Sequence, residues 1–237
     1  MSLPIPILFE DDYIIIANKP NDVLVHHSYY SRNITADSLL QLLAQQGLGK
    51  LYPVNRLDRK TSGIILLCKR KEDVSIFQEL FTNKSITKKY KALVRGHILE
   101  GGIIDSPVKN ERDNYKEAES HFSPIELYHL DIAVKPYPSA RYTLLEFSPI
   151  TGRTHQLRIH ANKIAHPIVG DHKHGNRHHN KMFEEQLNLP KLFLHSYHLS
   201  FMHPVLKNEV CIEVAVPDFW NSFFNHPKCE KIKIPTI

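Results

Sequence analysis

The order of strand-like and helix-like segments most constrains what this chain can fold into. Residues 13–17, 63–69, 88–95, 141–147 and 210–216 read as strands, being short, apolar or alternating. Residues 36–46, 73–83 and 154–164 read as helices. In the first helix Leu39, Leu40, Leu42 and Leu43 make a broad apolar face and Gly47 a stop. In the second, Val74, Phe77 and Phe81 recur at helical spacing; in the third, Leu157, Ala161 and Ile164 point inward. Within 88–95, Tyr90, Ala92 and Val94 share one face, and Lys89, Lys91, Leu93 and Arg95 the other. Within 210–216, Val210, Ile212, Val214 and Val216 share a face. The charged region 109–119 reads as a loop. Strands and helices do not alternate regularly, so the order predicts α+β with a mixed, mainly antiparallel sheet flanked by helices and loops, not a doubly wound fold.

Composition narrows the function classes. The chain has 237 residues, 42% hydrophobic and 23% charged, which suits a folded domain rather than a disordered one. Only 9 glycines are present, and none stands in the spacing of the two common nucleotide-phosphate loops. The net charge of +5 is uneven: residues 50–100 carry 12 basic and 5 acidic side chains. Such a block attracts a polyanion, unless it is merely a solvated face. Cys68, Cys211 and Cys229 fit neither a disulfide framework nor a zinc pattern, which points to a reducing cytoplasm. Neither a signal peptide nor a membrane-spanning run is legible.

Three segments carry chemistry. In Asn55-Arg56-Leu57-Asp58-Arg59-Lys60-Thr61-Ser62-Gly63 an aspartate stands between two arginines. Nearby cations keep a carboxylate ionised, available as nucleophile or electrostatic stabiliser. A surface ion pair beside a turn is the competing reading. In Thr151-Gly152-Arg153-Thr154-His155-Gln156-Leu157-Arg158-Ile159-His160, Gly152 allows a tight turn into a helix whose polar face carries His155, Arg158 and Asn162. In Lys88-Lys89-Tyr90-Lys91-Ala92-Leu93-Val94-Arg95-Gly96, a tyrosine among lysines suits stacking on a base, or else packs in the core.

Together these segments resemble the RluA-type pseudouridine synthases, whose pattern is H-R-L-D-x-x-T-S-G, then K-x-Y-x-A-x-V-x-G, then T-G-R-x-H-Q-L-R-x-H and H-P-I-x-G-D. The last is met here by His166, Pro167, Ile168, Gly170 and Asp171. The opening run from Tyr13 to Lys19-Pro20, with His26, and Leu194-His195 followed by His203-Pro204, extend the resemblance over about residues 7–216. One departure is Asn55, where the family has histidine. The resemblance implies the pseudouridine synthase catalytic fold with a central cleft, as a single domain over 1–237 without a separate N-terminal RNA-binding module. A narrower resemblance, to the tRNA pseudouridine synthase C group, rests on Gly170-Asp171-His172-Lys173-His174-Gly175-Asn176 with Asn180 downstream.

The resemblance implies that Asp58 is the catalytic aspartate, that Tyr90 stacks under the uracil and helps remove the C5 proton, and that Arg158 pairs with Asp58. The target uridine is flipped out of the RNA, with Arg56 filling the vacated space. Arg59, Lys88, Lys89, Arg95, Arg153 and Lys173 are the candidate phosphate contacts. The expected partner is RNA, tRNA above rRNA, with no cofactor, metal or membrane; the oligomeric state stays open. Competing classes are a metal-dependent hydrolase using the His-rich tract 166–179, a non-catalytic RNA-binding protein, and a glycosidase with Asp171 as second acid. The tract itself reads as a charged loop, and the tail 227–237 carries no assignment.

Overall fold

The computed structural model describes residues 4–27, 35–109 and 113–235. In chain order the first half holds β1 (Ile7–Glu10), β2 (Ile14–Lys19), α1 (Leu39–Leu43), β3 (Tyr52–Pro53), β4 (Ser62–Cys68), α2 (Val74–Thr82) and β5 (Ile86–Arg95). Then come β6 (Gly102–Asp105), β7 (Val108–Lys109), β8 (Tyr115–Lys116), β9 (Glu119–Leu130) and β10 (Ala140–Pro149). The rest is α3 (Gln156–Lys163), α4 (Arg177–Leu187), β11 (Leu194–Met202), β12 (Glu209–Glu213), α5 (Phe219–Phe224) and β13 (Cys229–Ile232). The fold is α+β, as the element order predicts. It divides into two compact units: residues 1–88 with 196–215, and residues 89–195 with 216–237.

In the first unit β2 pairs antiparallel with β1 and β4, β3 pairs with β4, and β12 pairs with β11, which neighbours β4. Every residue of β4 is buried, which is why it reads as an unbroken apolar run. Ile14, Ile16, Ile64, Leu66 and Cys68 form one core with Phe77 of α2 and with Leu199, Phe201 and Val210. Gly63 lies at φ 111°, and a β-carbon there would sit 2.1 Å from the Ser196 carbonyl oxygen. Only glycine lets β4 begin so close to β11.

In the second unit β10 pairs antiparallel with β5 and β9, and β9 also takes β6 and β13. β5 separates two cores as its alternation requires. Leu93 joins Tyr142, Phe183, Phe193, Trp220 and Phe223 on one face. Ala92 and Val94 join Leu145, Phe147, Leu157 and Ala161 on the other. A fully buried aromatic of this kind contributes about 3–5 kcal/mol relative to alanine.

Several elements differ from the sequence reading, for local reasons. The helix expected over 36–46 starts only at Leu39, because the Gln41 side chain accepts from the Ser38 amide at 2.9 Å. It then widens over Ala44–Leu48, where Gly47 has φ 88°. The strand expected over 210–216 ends at Glu213, and Val216 packs in the second unit, away from Val210. Region 109–119 is not all loop: β7 and β8 pair across it, and β9 begins at Glu119. Its residues 110–112, like 236–237 of the tail, lie outside the described residues. The His-rich tract is partly helical, since α4 starts at Arg177 with the Asn176 side chain accepting from the His178 and His179 amides.

Candidate active site

The first unit presents Asp58 on the turn between β3 and β4. Asn55 opens this turn, its Oδ1 accepting from the Leu66 amide at 3.0 Å. That bond staples the start of the turn to β4. Leu57 is buried, Arg56 exposed and Asp58 half-buried. The Asp58 carbonyl accepts from the Thr61 amide at 3.1 Å, closing the turn.

Beneath it lies Lys19, the last residue of β2 and wholly buried. Its ammonium donates to the carbonyls of Pro20 (2.9 Å), Val23 (2.8 Å) and Arg59 (2.9 Å). These use all three of its N–H groups. Burial lowers its pKa to about 7, opposed by the charges of Asp58 and Asp22. Asn21 donates to the Lys60 carbonyl. The main chain on the C-terminal side of Asp58 is therefore held at two successive carbonyls. Arg59, expected to flank Asp58 and reach phosphate, forms an exposed ion pair with Asp22 at 3.0 Å. Lys88, the last candidate in this unit, is half-buried with its ammonium over the Phe81 ring, and desolvation lowers its pKa.

The second unit holds Tyr90 and Arg158. Tyr90 opposes Phe147 in β10 and packs against the core formed with Leu157 and Ala161 of α3. The ring is partly buried, so its expected alternation with Ala92 and Val94 holds. Lys89 pairs with Glu146 at 3.1 Å, and Arg153 donates from Nε to the Glu117 carbonyl at 3.0 Å. Lys173 is exposed. Arg95 lies close enough to the buried His179 that its charge, after burial itself, helps push that imidazole down to about 4. His179 Nδ1 and the Tyr142 hydroxyl share a hydrogen bond at 2.7 Å.

The turn into α3 is built differently from the sequence reading. Gly152 has neither a positive φ nor a close neighbour at its β-carbon position. The left-handed residue is His155, at φ 56°. Gln156 organises the turn: its Oε1 accepts from the Thr151 hydroxyl (2.7 Å) and the Arg153 amide (2.9 Å). Its Nε2 donates to the Glu119 carbonyl and Ser120 Oγ, both at 2.9 Å. His160 Nε2 donates to the Ser106 carbonyl at 2.9 Å while Nδ1 accepts from Ser120 at 3.0 Å. Burial lowers its pKa and keeps it neutral in this role.

Arg158 is buried and meets Asp171 as a fork, Nε to Oδ2 and Nη2 to Oδ1, both at 2.7 Å. Burial raises the Asp171 carboxyl, but the hydrogen bonds and charge of Arg158 outweigh it and hold the pKa below its ordinary value. His155 and His174 meet through Nδ1 and Nε2 at 3.0 Å. Among the described residues no three His, Cys, Asp or Glu side chains gather as a metal-binding group, and no helix is long and apolar enough to cross a membrane.

The sequence reading gave Lys19, Asn21 and Gln156 no role in the site, and named Asp171 only as the second acid of a competing glycosidase class; the structure ties all four into the turns that carry Asp58 and Arg158. Lys19 carried one signal, a charged residue ending an apolar strand. Its carbonyl partners lie up to 40 residues away, so its burial was not legible.

A family model described as RNA pseudouridylate synthase matches residues 13–163. A relative from Vibrio vulnificus, tRNA pseudouridine synthase C, is 36% identical over 229 residues, covering 92% of this chain and 93% of its own. A tRNA pseudouridine synthase C from Pasteurella multocida is 34% identical over 234 residues, covering 94% and 96%. Among solved structures, human RNA pseudouridylate synthase domain containing 4 aligns with a TM-score of 0.70 and 25% identity, covering 94% of this chain and 93% of that one. On these matches the chain belongs to the RNA pseudouridylate synthases, isomerases that act on RNA.

Proposed function

We propose that the substrate is tRNA and that Asp58, Tyr90 and Arg158 carry the reaction. Pseudouridine formation breaks the C1′–N1 bond, turns the uracil, forms a C1′–C5 bond and releases the C5 proton. Asp58 serves as nucleophile on the ribose or as stabiliser of its cationic form. A half-buried aspartate on a pinned main chain suits either role. Tyr90 stacks on the uracil and assists loss of the C5 proton. Arg158 pairs with Asp58. Arg56, exposed beside Asp58, fills the space left by the flipped base. Arg59, Lys88, Lys89, Arg95, Arg153 and Lys173 contact phosphate; the exposed ion pair of Arg59 is weak enough to exchange for one. The whole chain acts as one catalytic domain, in the cytoplasm.

The observation that carries tRNA over rRNA is the whole-length likeness to relatives whose names specify tRNA. The target that the narrower sequence resemblance implies is a uridine on the acceptor-stem side of the T arm. Mapping pseudouridines in tRNA and rRNA from cells with and without the gene tests this. Loss at one tRNA position is expected; loss confined to rRNA overturns it.

A further inference from the structure

We propose that Asp171 is a positioning residue for the reaction: it fixes the Arg158 guanidinium and ties it to the turn over 172–176. This rests on the reading that Arg158 acts in catalysis. The fork from Asp171 occupies two of the five guanidinium N–H groups, leaving three directed away from this pair. Asp171 itself cannot move freely. Its Oδ1 also accepts from the Lys173 amide at 2.9 Å and the His174 amide at 3.0 Å. Its carbonyl accepts from the Gly175 amide at 2.9 Å and from Asn180 Nδ2 at 2.8 Å. Asn180 Oδ1 in turn accepts from the Gly170 amide at 2.9 Å.

Glycines allow the segment to close this tightly. A β-carbon on Gly170 would lie 1.8 Å from the Lys191 carbonyl oxygen, and one on Gly175 2.2 Å from that of Asp171. The carboxylate is 1% exposed and the arginine side chain 8%. A buried ion pair adds little stability over a well-packed apolar pair, whereas it fixes a planar fork in one orientation. A catalytic arginine held this way needs no reordering when substrate arrives. The same carboxylate orders a turn whose exposed residues include His172 and Lys173. Arginine and turn are therefore set by one group.

Asp171→Asn keeps the shape but turns one acceptor into a donor facing Arg158. With C5-tritiated tRNA, kcat is expected to fall about 100-fold with KM unchanged. Arg158→Ala is expected to lose at least as much, and the double variant no more than Arg158→Ala alone. Asn180→Ala frees the Asp171 carbonyl and the Gly170 amide but leaves the carboxylate fork intact, and is expected to lower kcat about 10-fold, KM again unchanged. Wild-type activity in Arg158→Ala sinks the reading of Arg158 itself. An impaired Arg158→Ala beside a folded Asp171→Asn of normal kcat overturns only the present proposal. So does a loss confined to KM, or one that tracks the melting temperature and recovers on cooling. If Asp171→Asn does not fold, a normal kcat in Asn180→Ala overturns the proposal.

Discussion

Asp58 and Arg158 are held in place by opposite means. The Asp58 turn is fixed through its main chain: Lys19 and Asn21 capture the carbonyls of Arg59 and Lys60, and Asn55 pins the entry. Asp58 itself is half-buried. Arg158 is fixed through its side chain, by a buried bidentate carboxylate. Holding a backbone fixes where a side chain starts without using the side chain's own polar atoms. Holding a side chain fixes its direction while leaving fewer of its hydrogen bonds open. The first suits a group that attacks or stabilises, the second a group that orients.

The sharpest way to break this contrast is Asp58→Asn. It leaves every main-chain anchor of the turn intact, so isomerisation should fall to background while tRNA binding, by filter retention, stays near wild type. Substantial turnover would remove Asp58 from the mechanism. Lys19→Met tests the main-chain anchor. Releasing the Arg59 carbonyl should lower kcat about 100-fold with tRNA affinity retained.

Lys19 also has a stability signature. Its folded pKa of about 7 lies below that of an unfolded lysine, about 10.4. Between these values the unfolded chain binds a proton that the folded one has lost. Stability should therefore rise by a few kcal/mol from pH 7 upward in the wild type. Urea titrations across pH 7–9 check this, and Lys19→Met should show a flatter profile. Asp171 has the opposite acid-side signature. Its carboxyl is held below the unfolded value of about 3.9, so its stabilisation is present above that pH and is lost as pH falls through the folded value. Denaturation below pH 4 should be shallower in Asp171→Asn.

Tyr90 probes the substrate side of the second unit. Base stacking is worth about 1–3 kcal/mol, so Tyr90→Phe should retain much more activity than Tyr90→Leu. Equal single-turnover rates would remove stacking. The smallest effect is expected at the exposed Asp22–Arg59 pair, where Asp22→Asn should shift stability by under about 1 kcal/mol.

What was legible in the sequence follows from which forces are local. β4 and β5 were readable because their apolar patterns record burial on one or two faces. The inward face of α3 was readable for the same reason. α4 was not, because Arg177, His178, His179, Asn180 and Lys181 hide the apolar pair Met182 and Phe183. Gly152 drew the eye at the turn into α3, yet Gln156 builds that turn through strand β9, a non-local partner. The candidate residues were legible through family likeness. The Lys19 and Asp171 anchors were not, since their partners are main-chain groups and a buried arginine that only the fold brings near.

The most direct test of the central claim is release of tritium from C5-labelled uridine in unmodified tRNA by the purified protein. The account predicts release matching the pseudouridine formed, and none from Asp58→Asn. Tight tRNA binding by a folded wild-type protein that releases no tritium would contradict it.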